Sequence, residues 1–325
     1  MNKLLIGISV TILAIILVVG VYSYNHSQKD VITIGYLDND QHSAALAVAN
    51  AKGMFEAQGM KVKLQSFSVG ADIVIAMAAG QIDVGYVGIA PATMAINNGM
   101  PLKIVGAVNE EGSGIVISKN STIDNLTDFE GHTVVMPSKG SIQDILLNYL
   151  LQKNNINPKS IDIREMQTSL MPEAIQAGKI DGYIVWEPYV IQASSGGYGK
   201  TFMYSDEIWK NHPCCVIIAS NNFMQNNPDK LKKILQIHQN ATDYIYSNRN
   251  DTISLLSKQF KISFNTEKEV LNHIKFVVVP DEEFMDNSLK IVSIQRQLGY
   301  VEHNLTKGEI FDLSYLPSNN TGEII

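Results

Sequence analysis

A five-residue pattern that occurs twice constrains the fold of this 325-residue chain more than any other feature of its sequence. Residues 79–83 read Ala-Gly-Gln-Ile-Asp, and 98 residues later 177–181 read Ala-Gly-Lys-Ile-Asp. In both copies the glycine suits the left-handed end of a helix, and the β-branched isoleucine suits the start of a strand. Each copy ends a similar alternation of strand and helix patterns. The repeat therefore predicts two similar α/β units in one chain.

The spacing of apolar residues places the elements of both units, and their alternation is typical of α/β folds with mostly parallel strands. In the first unit we predict strands at 31–37, 62–67, 84–87 and 103–108, and helices at 44–55, 71–79 and 92–98. In the second unit we predict strands at 132–136, 161–165 and 182–185, a helix at 141–151 and another ending at Ala177. After about residue 213 the pattern becomes helical. We expect this tail to pack on the first unit.

The loops that follow the predicted strands supply candidate ligand contacts, because ligands of open α/β sheets bind beyond the carboxyl ends of the strands. In the first unit the candidates are Asn39, His42, Ser68, Gly70, Ala71, Gly88, Ile89 and Ala90. In the second unit and at the crossings between units they are Ser113, Ser138, Gly140, Ser141, Trp186, Glu187 and His212. Glycines permit close backbone approach, and free N–H groups at helix starts favour an anion.

Structural interpretations of several candidates stay open. Asn39 or Asp40 could cap the first helix, with no ligand role for the nearby His42. Glu187 could bind an amine or a cation, or cap the following helix. His212 could be a satisfied hinge residue. A tryptophan such as the one at 186 could stack on a flat or apolar part of a ligand.

The charge and the cysteines exclude several classes of protein. A formal net charge of −7 with no run of lysines or arginines argues against nucleic-acid binding. Cys214 and Cys215 are adjacent, so they cannot staple distant elements, and two buried residues beside a ligand loop are favoured over a strained vicinal disulfide. No Cys-x-x-Cys or His-x-x-x-His spacing indicates a metal site. We therefore predict no metal and no cofactor.

The N-terminal segment is an uncharged, apolar run at 4–22, preceded by Lys3. About 20 such residues cross a bilayer as a helix, whereas signal-peptide hydrophobic regions are shorter. No cysteine follows the run, which excludes a lipoprotein anchor. We predict an uncleaved membrane anchor and spacer at 1–30, with the remainder of the chain outside the cytoplasm.

From residue 32 to about 316 the sequence resembles the nitrate/sulfonate/taurine-type substrate-binding proteins of ABC importers, which include binders of thiamine precursors. The matching stretches are Ile-Gly-Tyr-Leu at 34–37, Ala-Lys-Gly-Met-Phe-Glu-Ala-Gln-Gly at 51–59, Ala-Ala-Gly-Gln-Ile-Asp-Val-Gly-Tyr-Val-Gly at 78–88, Val-Trp-Glu-Pro-Tyr at 185–189 and His-Pro-Cys-Cys-Val at 212–216. The resemblance implies the α/β type II periplasmic-binding-protein fold, with a hinge, a C-terminal helical tail and two Rossmann-like lobes, at 31–113 with 214–325 and at 114–213. The sequence departs from the family in its anchor, because many members carry a cleaved signal or a lipidated cysteine.

The resemblance also implies a function without catalysis: a monomeric binding protein delivers a small-molecule ligand to a membrane permease driven by a cytoplasmic ATPase. None of the three arginines, Arg164, Arg249 and Arg296, lies in a candidate loop. We therefore expect a small oxyanion such as a sulfonate, nitrate or bicarbonate, held by helix N-termini, serine hydroxyls and Lys139. A thiamine precursor or another small heterocycle is the alternative ligand.

Two rival functions use the same fold. One is an enzyme of the thiamine-pyrimidine synthase type, whose clustered cysteine and histidine iron site is faintly similar to Cys214, Cys215 and His212. An export anchor argues against it, because the partner chemistry is intracellular. The other rival is a sensory ligand-binding module, which the sequence does not distinguish from a transport protein.

Overall fold

The computed structural model describes residues 31–317, which form two α/β lobes joined by two chain crossings. The predicted membrane helix at 4–22 lies outside these residues. Within 31–317, no helix has both the length and the apolar character that crossing a bilayer requires.

Lobe 1 is built on a six-stranded sheet. Its strands are β1 (Val31–Leu37), β2 (Lys61–Phe67), β3 (Val84–Gly88), β4 (Leu102–Glu111), β10 (Pro213–Ser220) and β11 (Ile274–Phe276). They are ordered β11-β4-β10-β3-β1-β2 across the sheet.

Lobe 2 is built on a five-stranded sheet. Its strands are β5 (Ser113–Ser118), β6 (Thr133–Met136), β7 (Asp162–Glu165), β8 (Gly182–Trp186) and β9 (Gly199–Tyr204). They are ordered β7-β6-β8-β5-β9 across the sheet.

Most strands of each sheet run in one direction, as expected, but both sheets are mixed. β1 pairs in parallel with β2 and β3, and β6 with β7 and β8. In contrast, β10 is antiparallel to β3 and β4, and β5 is antiparallel to β8 and β9. β5 and β10 are the first strands after the two crossings. They start at the cleft and run away from it, whereas β3 and β8 run towards it.

The helices cover both sheets. They are α1 (Ala44–Ala51), α2 (Met54–Ala57), α3 (Gly70–Ala78), α4 (Ile89–Asn97), α5 (Ile142–Lys153), α6 (Met171–Gln176), α7 (Tyr189–Ser195), α8 (Ser205–Ile208), α9 (Asn221–Asn226), α10 (Pro228–Ser247), α11 (Arg249–Phe260), α12 (Phe264–Val270), α13 (Glu282–Gln297) and α14 (Lys307–Ile310). The single helix predicted at 44–55 is wrong, because Gly53 adopts a left-handed conformation (φ 63°) and separates α1 from α2.

The repeated five-residue pattern has the same structural role in both lobes. Gly80 and Gly178 have φ of 69° and 64°, and each lies two residues after the end of its helix, α3 or α6. The Asp83 carboxylate accepts a hydrogen bond of 2.9 Å from the N–H of Thr33, at the first strand of lobe 1. The Asp181 carboxylate accepts one of 2.8 Å from the N–H of residue 133, at the equivalent strand of lobe 2. The internal repeat is therefore a repeat of structure as well as of sequence.

The C-terminal tail returns to lobe 1, as predicted. α10 packs against α1, and β11 extends the lobe 1 sheet beside β4. The buried face of α10 consists of Leu231, Ile234, Leu235, Ile237, His238, Ala241, Thr242 and Ile245. This helical spacing of apolar residues was the basis of the prediction.

Candidate ligand-binding cleft

A small cavity lies between the lobes, at the ends of strands from both sheets. It is lined by Leu37, Asp40, His42, Val69, Gly70, Gly88, Pro91, Pro137, Ser138, Ser141, Ile142, Gln143, Trp186, Cys214 and Cys215. The centre of a water molecule can occupy about 20 Å³ of it. A single water requires roughly 10–15 Å³ on this measure. The lobes are therefore close together, and the remaining space suits a very small group.

Two hydrogen bonds also join the lobes beside the cavity. The indole N–H of Trp186 in lobe 2 donates to the carbonyl of Asn39 in lobe 1, at 3.4 Å. The N–H of Gln41 donates to the carbonyl of Glu187, at 3.2 Å. A larger depression of about 290 Å³ involves the same Asn39 but is lined by lobe 1 residues alone. The smaller cavity, unlike this depression, is lined by residues of both lobes, as closure of the lobes on a ligand requires.

The structure brings part of the predicted site together. The predicted residues that line the cavity are His42, Gly70, Gly88, Ser138, Ser141 and Trp186. Ala71 and Gly140 line an adjoining depression that shares Gly70, Ser138 and Ser141. The remaining predicted residues, Asn39, Ser68, Ile89, Ala90, Ser113, Glu187 and His212, do not line the cavity. Their assignment as ligand contacts stays a prediction.

The helix N-termini differ between the lobes. α3 and α4 begin after Val69 and Gly88, and neither cap residue accepts a hydrogen bond through its side chain. In lobe 2, Ser141 caps α5 by accepting a bond from the N–H of Asp144. The Asp144 carboxylate accepts a 2.8 Å bond from the N–H of Gly140. At the cavity, the starts of α3 and α4 in lobe 1 therefore lack a capping side chain and offer N–H groups to an anion, whereas α5 in lobe 2 is capped.

His42 lines the lobe 1 side of the cavity and is buried. Asp40 accepts a 2.9 Å bond from the His42 backbone N–H, so Asp40 does cap the helical turn at 41–43. The same carboxylate lies 3.1 Å from Nδ1 of the ring, and Nε2 lies 2.9 Å from the carbonyl of Gly112. Burial lowers the pKa of His42, but the charges of Asp40 and Cys214 outweigh it and raise that pKa to about 10.

The two adjacent cysteines both reach His42, and the sequence analysis did not include them in the site. Their sulfurs each lie 3.6 Å from Nδ1 of His42 and 4.0 Å from each other. Adjacent residues of a regular strand point to opposite faces. Here the register of β10 against β4 shifts on both sides of Cys215. This irregularity explains how both side chains reach one ring.

The thiols differ in acidity. Burial raises the pKa of the Cys214 thiol, but the hydrogen bond from Cys215 and the charge of His42 lower it well below its usual range. That hydrogen bond, together with burial, raises the pKa of Cys215. Of the two thiols, Cys214 is therefore the more acidic.

Three residues predicted to contact the ligand make hydrogen bonds within the protein and do not line the cavity. The Glu187 carboxylate accepts a 3.1 Å bond from the N–H of Ile191 and caps α7, and burial raises its pKa to about 8. Ser113 accepts a 2.9 Å bond from the side chain of Gln143, which does line the cavity. His212 lies buried at the second crossing, with Nδ1 3.2 Å from the carbonyl of Pro213.

Comparison with known protein families shows which family this two-lobed chain belongs to. The model of the NMT1-like family matches residues 25–258, well over half of the chain. The chain belongs to the NMT1-like family. The nitrate/nitrite binding protein NrtA of a Nostoc species is 24% identical over 215 residues, which is 59% of this chain and 49% of that protein.

Solved structures share the fold of this NMT1-like protein. The ligand-binding component of an ABC-type import system from Staphylococcus aureus, solved with zinc bound, has a TM-score of 0.78 at 22% identity and covers 88% of this chain and 97% of that chain. The aliphatic sulphonate binding protein SsuA of Escherichia coli has a TM-score of 0.75 at 21% identity, covering 88% and 99%. The resemblance and the two-lobed fold are confirmed. The homologues are named as binding proteins of transport systems, which confirms the prediction of a binding protein instead of an enzyme.

Proposed function

We propose that this NMT1-like protein is the extracytoplasmic solute-binding component of an ABC importer and closes its two lobes around a small oxyanion. The observation that carries the proposal is the cavity with both lobes in its lining, at the chain crossings. A ligand that contacts both lobes favours the closed state by the difference between its affinities for the closed and the open state. Family membership and the names of the homologues support the transport role.

The lining supports an anion through lobe 1. The start of α3 and of α4 presents backbone N–H groups beside Gly70 and Gly88. Ser138 of lobe 2 lines the opposite side. Such charge-assisted hydrogen bonds contribute about 1.5–3 kcal/mol each. A sulfonate, nitrate or bicarbonate oxygen would bridge the two sides.

A ligand panel tests this proposal. Purified full-length chain is titrated with methanesulfonate, nitrate, bicarbonate and a free pyrimidine, while thermal unfolding and tryptophan fluorescence are recorded. We expect an oxyanion to raise the unfolding temperature and to change the emission of Trp186, which is buried at the cavity. Ser138→Ala should weaken binding of that anion about tenfold. Ser195→Ala, on an exposed part of α7, is the control and should leave the affinity unchanged. A pyrimidine response with no oxyanion response would refute the anion assignment.

A small heterocycle is the second candidate, because Trp186, Leu37 and Pro91 give the cavity an apolar side. The pyrimidine arm of the panel addresses it directly.

Anchoring and hinge position complete the proposal. The apolar run at 4–22 supports an uncleaved membrane anchor. Residues 31–113 with 214–325 would then move as one lobe against 114–213. A tethered clamp meets its permease at a raised effective concentration. Cell fractionation with N-terminal sequencing tests the anchor.

A further inference from the structure

The cluster of His42, Cys214 and Cys215 has the composition of a site for a thiophilic metal. Their donor atoms all lie within 4.8 Å of one another, and all three side chains are buried. The chain has two cysteines in total, and both are in this cluster. Thiolate and imidazole donors together select Zn²⁺ and related ions.

The distances agree with three corners of one coordination shell. Bonds of about 2.3 Å to sulfur and about 2.0–2.1 Å to nitrogen place tetrahedral ligand atoms about 3.6 Å apart for sulfur and nitrogen and about 3.8 Å apart for two sulfurs. The distances from His42 Nδ1 to the two sulfurs are 3.6 Å, and the sulfur–sulfur distance is 4.0 Å. The Cys214 sulfur also lies 4.0 Å from Nε2, so the ring must turn for Nδ1 to face an ion bound by that sulfur. Since a disulfide requires about 2.05 Å, the two thiols are not bonded to each other.

Nδ1 is the nitrogen of His42 that lies nearer to the Cys214 sulfur, at 3.6 Å against 4.0 Å for Nε2. Nε2 lies 2.9 Å from the carbonyl of Gly112, and this contact requires the ring to donate its Nε2 proton. A histidine that binds a metal through one nitrogen commonly donates through the other to a carbonyl. Gly112 is needed for this approach, because a Cβ there would lie 2.4 Å from Nε2.

One contact opposes an ion and must change. Asp40 Oδ1 lies 3.1 Å from the same Nδ1. A metal on Nδ1 replaces the proton that Asp40 attracts, and the carboxylate is then left beside a cation. When the ion replaces the proton, the buried Asp40 carboxylate still lies beside a positive charge, so its burial remains compensated.

The cluster is also open on one side. His42, Cys214 and Cys215 all line the cleft cavity, whose free space is close to that of one water molecule. Three protein ligands with an accessible fourth position are typical of zinc sites that keep an exchangeable ligand.

We propose that His42 Nδ1 and the sulfurs of Cys214 and Cys215 form a three-ligand site for a Zn²⁺-class ion, with the fourth position facing the cleft. Water or an anionic solute completes the shell there. The proposal does not depend on a transport role. It requires only that the three donors bind one ion together.

The experiment uses the full-length chain, reduced, treated with a chelator and then dialysed. Zn²⁺ titration by calorimetry should give one ion per chain. Co²⁺, a coloured substitute for Zn²⁺, should give a thiolate-to-metal charge-transfer band in the near ultraviolet. Cys214→Ser, Cys215→Ser and His42→Gln should each weaken Zn²⁺ binding at least tenfold. His132→Asn, which changes a half-exposed histidine of lobe 2, is the matched control and should bind as before.

A second measurement covers the case in which these buried substitutions prevent folding. In the unsubstituted chain, Zn²⁺ should slow the alkylation of both thiols. Failure of Zn²⁺ and Co²⁺ to bind a chain with two free thiols overturns the proposal, as does a Cys214–Cys215 disulfide in protein isolated without reductant. Thermal shifts with sulfonate or nitrate in the chelator-treated chain test the oxyanion proposal separately.

Discussion

The buried carboxyl of Glu267 gives a quantitative prediction for stability. Glu267 on α12 is buried, and its Oε2 accepts a 2.5 Å bond from the side-chain amide of Gln41, the neighbour of His42. Burial raises its pKa from 4.5 to about 8, and the nearby Glu187 adds to the rise. The native state therefore holds Glu267 as a neutral acid at pH 7, whereas the unfolded chain ionises it.

The sign and the size of the effect follow from linkage. A folded pKa above the unfolded one means that the stability from this group is complete below pH 4.5 and is lost as the pH rises towards 8. One pKa unit corresponds to about 1.4 kcal/mol, so the native state loses roughly 3 kcal/mol between pH 4.5 and 7 through this carboxyl. Glu267→Gln keeps the shape and the acceptor for Gln41 but cannot ionise. The variant should lack this loss.

Urea unfolding followed by tryptophan fluorescence at pH 5, 6, 7 and 8 measures the difference. The free energy of unfolding of Glu267→Gln, relative to the original chain, should rise by about 2.5 kcal/mol between pH 5 and pH 7. Glu269→Gln, on the exposed side of the same helix, is the control and should show little change with pH. Parallel pH profiles for Glu267→Gln and the original chain would show that the carboxyl is already ionised in the fold, and the reasoning would be wrong.

Two further substitutions test the crossing and the contact between lobes. Gly112→Ala places a Cβ 2.4 Å from His42 Nε2 at a residue with φ of 87°, and should destabilise the chain by about 3 kcal/mol in urea unfolding. Gly99 has φ of 77° and no atom within 4 Å of the new Cβ, so Gly99→Ala should destabilise the fold only through its backbone conformation, by about 1–2 kcal/mol. An equal loss of stability in the two variants would contradict the steric argument. Trp186→Phe deletes the hydrogen bond to the Asn39 carbonyl and should destabilise the closed state relative to the open state by about 1 kcal/mol. Small-angle X-ray scattering should then show a larger radius of gyration. An unchanged radius would contradict a role for this bond in closure.

Local sequence determined much of the fold. The strand predicted at 31–37 has those limits in the structure. The repeated Gly-x-Ile-Asp pattern predicted two similar units, because helix termination and strand initiation depend on neighbouring residues. The structure adds the reason for the aspartates: Asp83 accepts a bond from β1, and Asp181 accepts one from β6, the equivalent strand of lobe 2. Loops after strands also gave His42 and Trp186 as cavity residues.

Tertiary structure decided the direction of β5 and β10 and the composition of the cleft. Periodicity reports which residues are buried but not which way a strand runs beside its neighbours. The spacing of Cys214 and Cys215 argued against a metal site, since motif spacing covers ligands that are close in sequence. Their partner His42 is 172 residues away and meets them only because the chain returns to lobe 1 and β10 changes register at Cys215. Which donors share one space is a property of the folded chain, because folding alone brings those distant segments together.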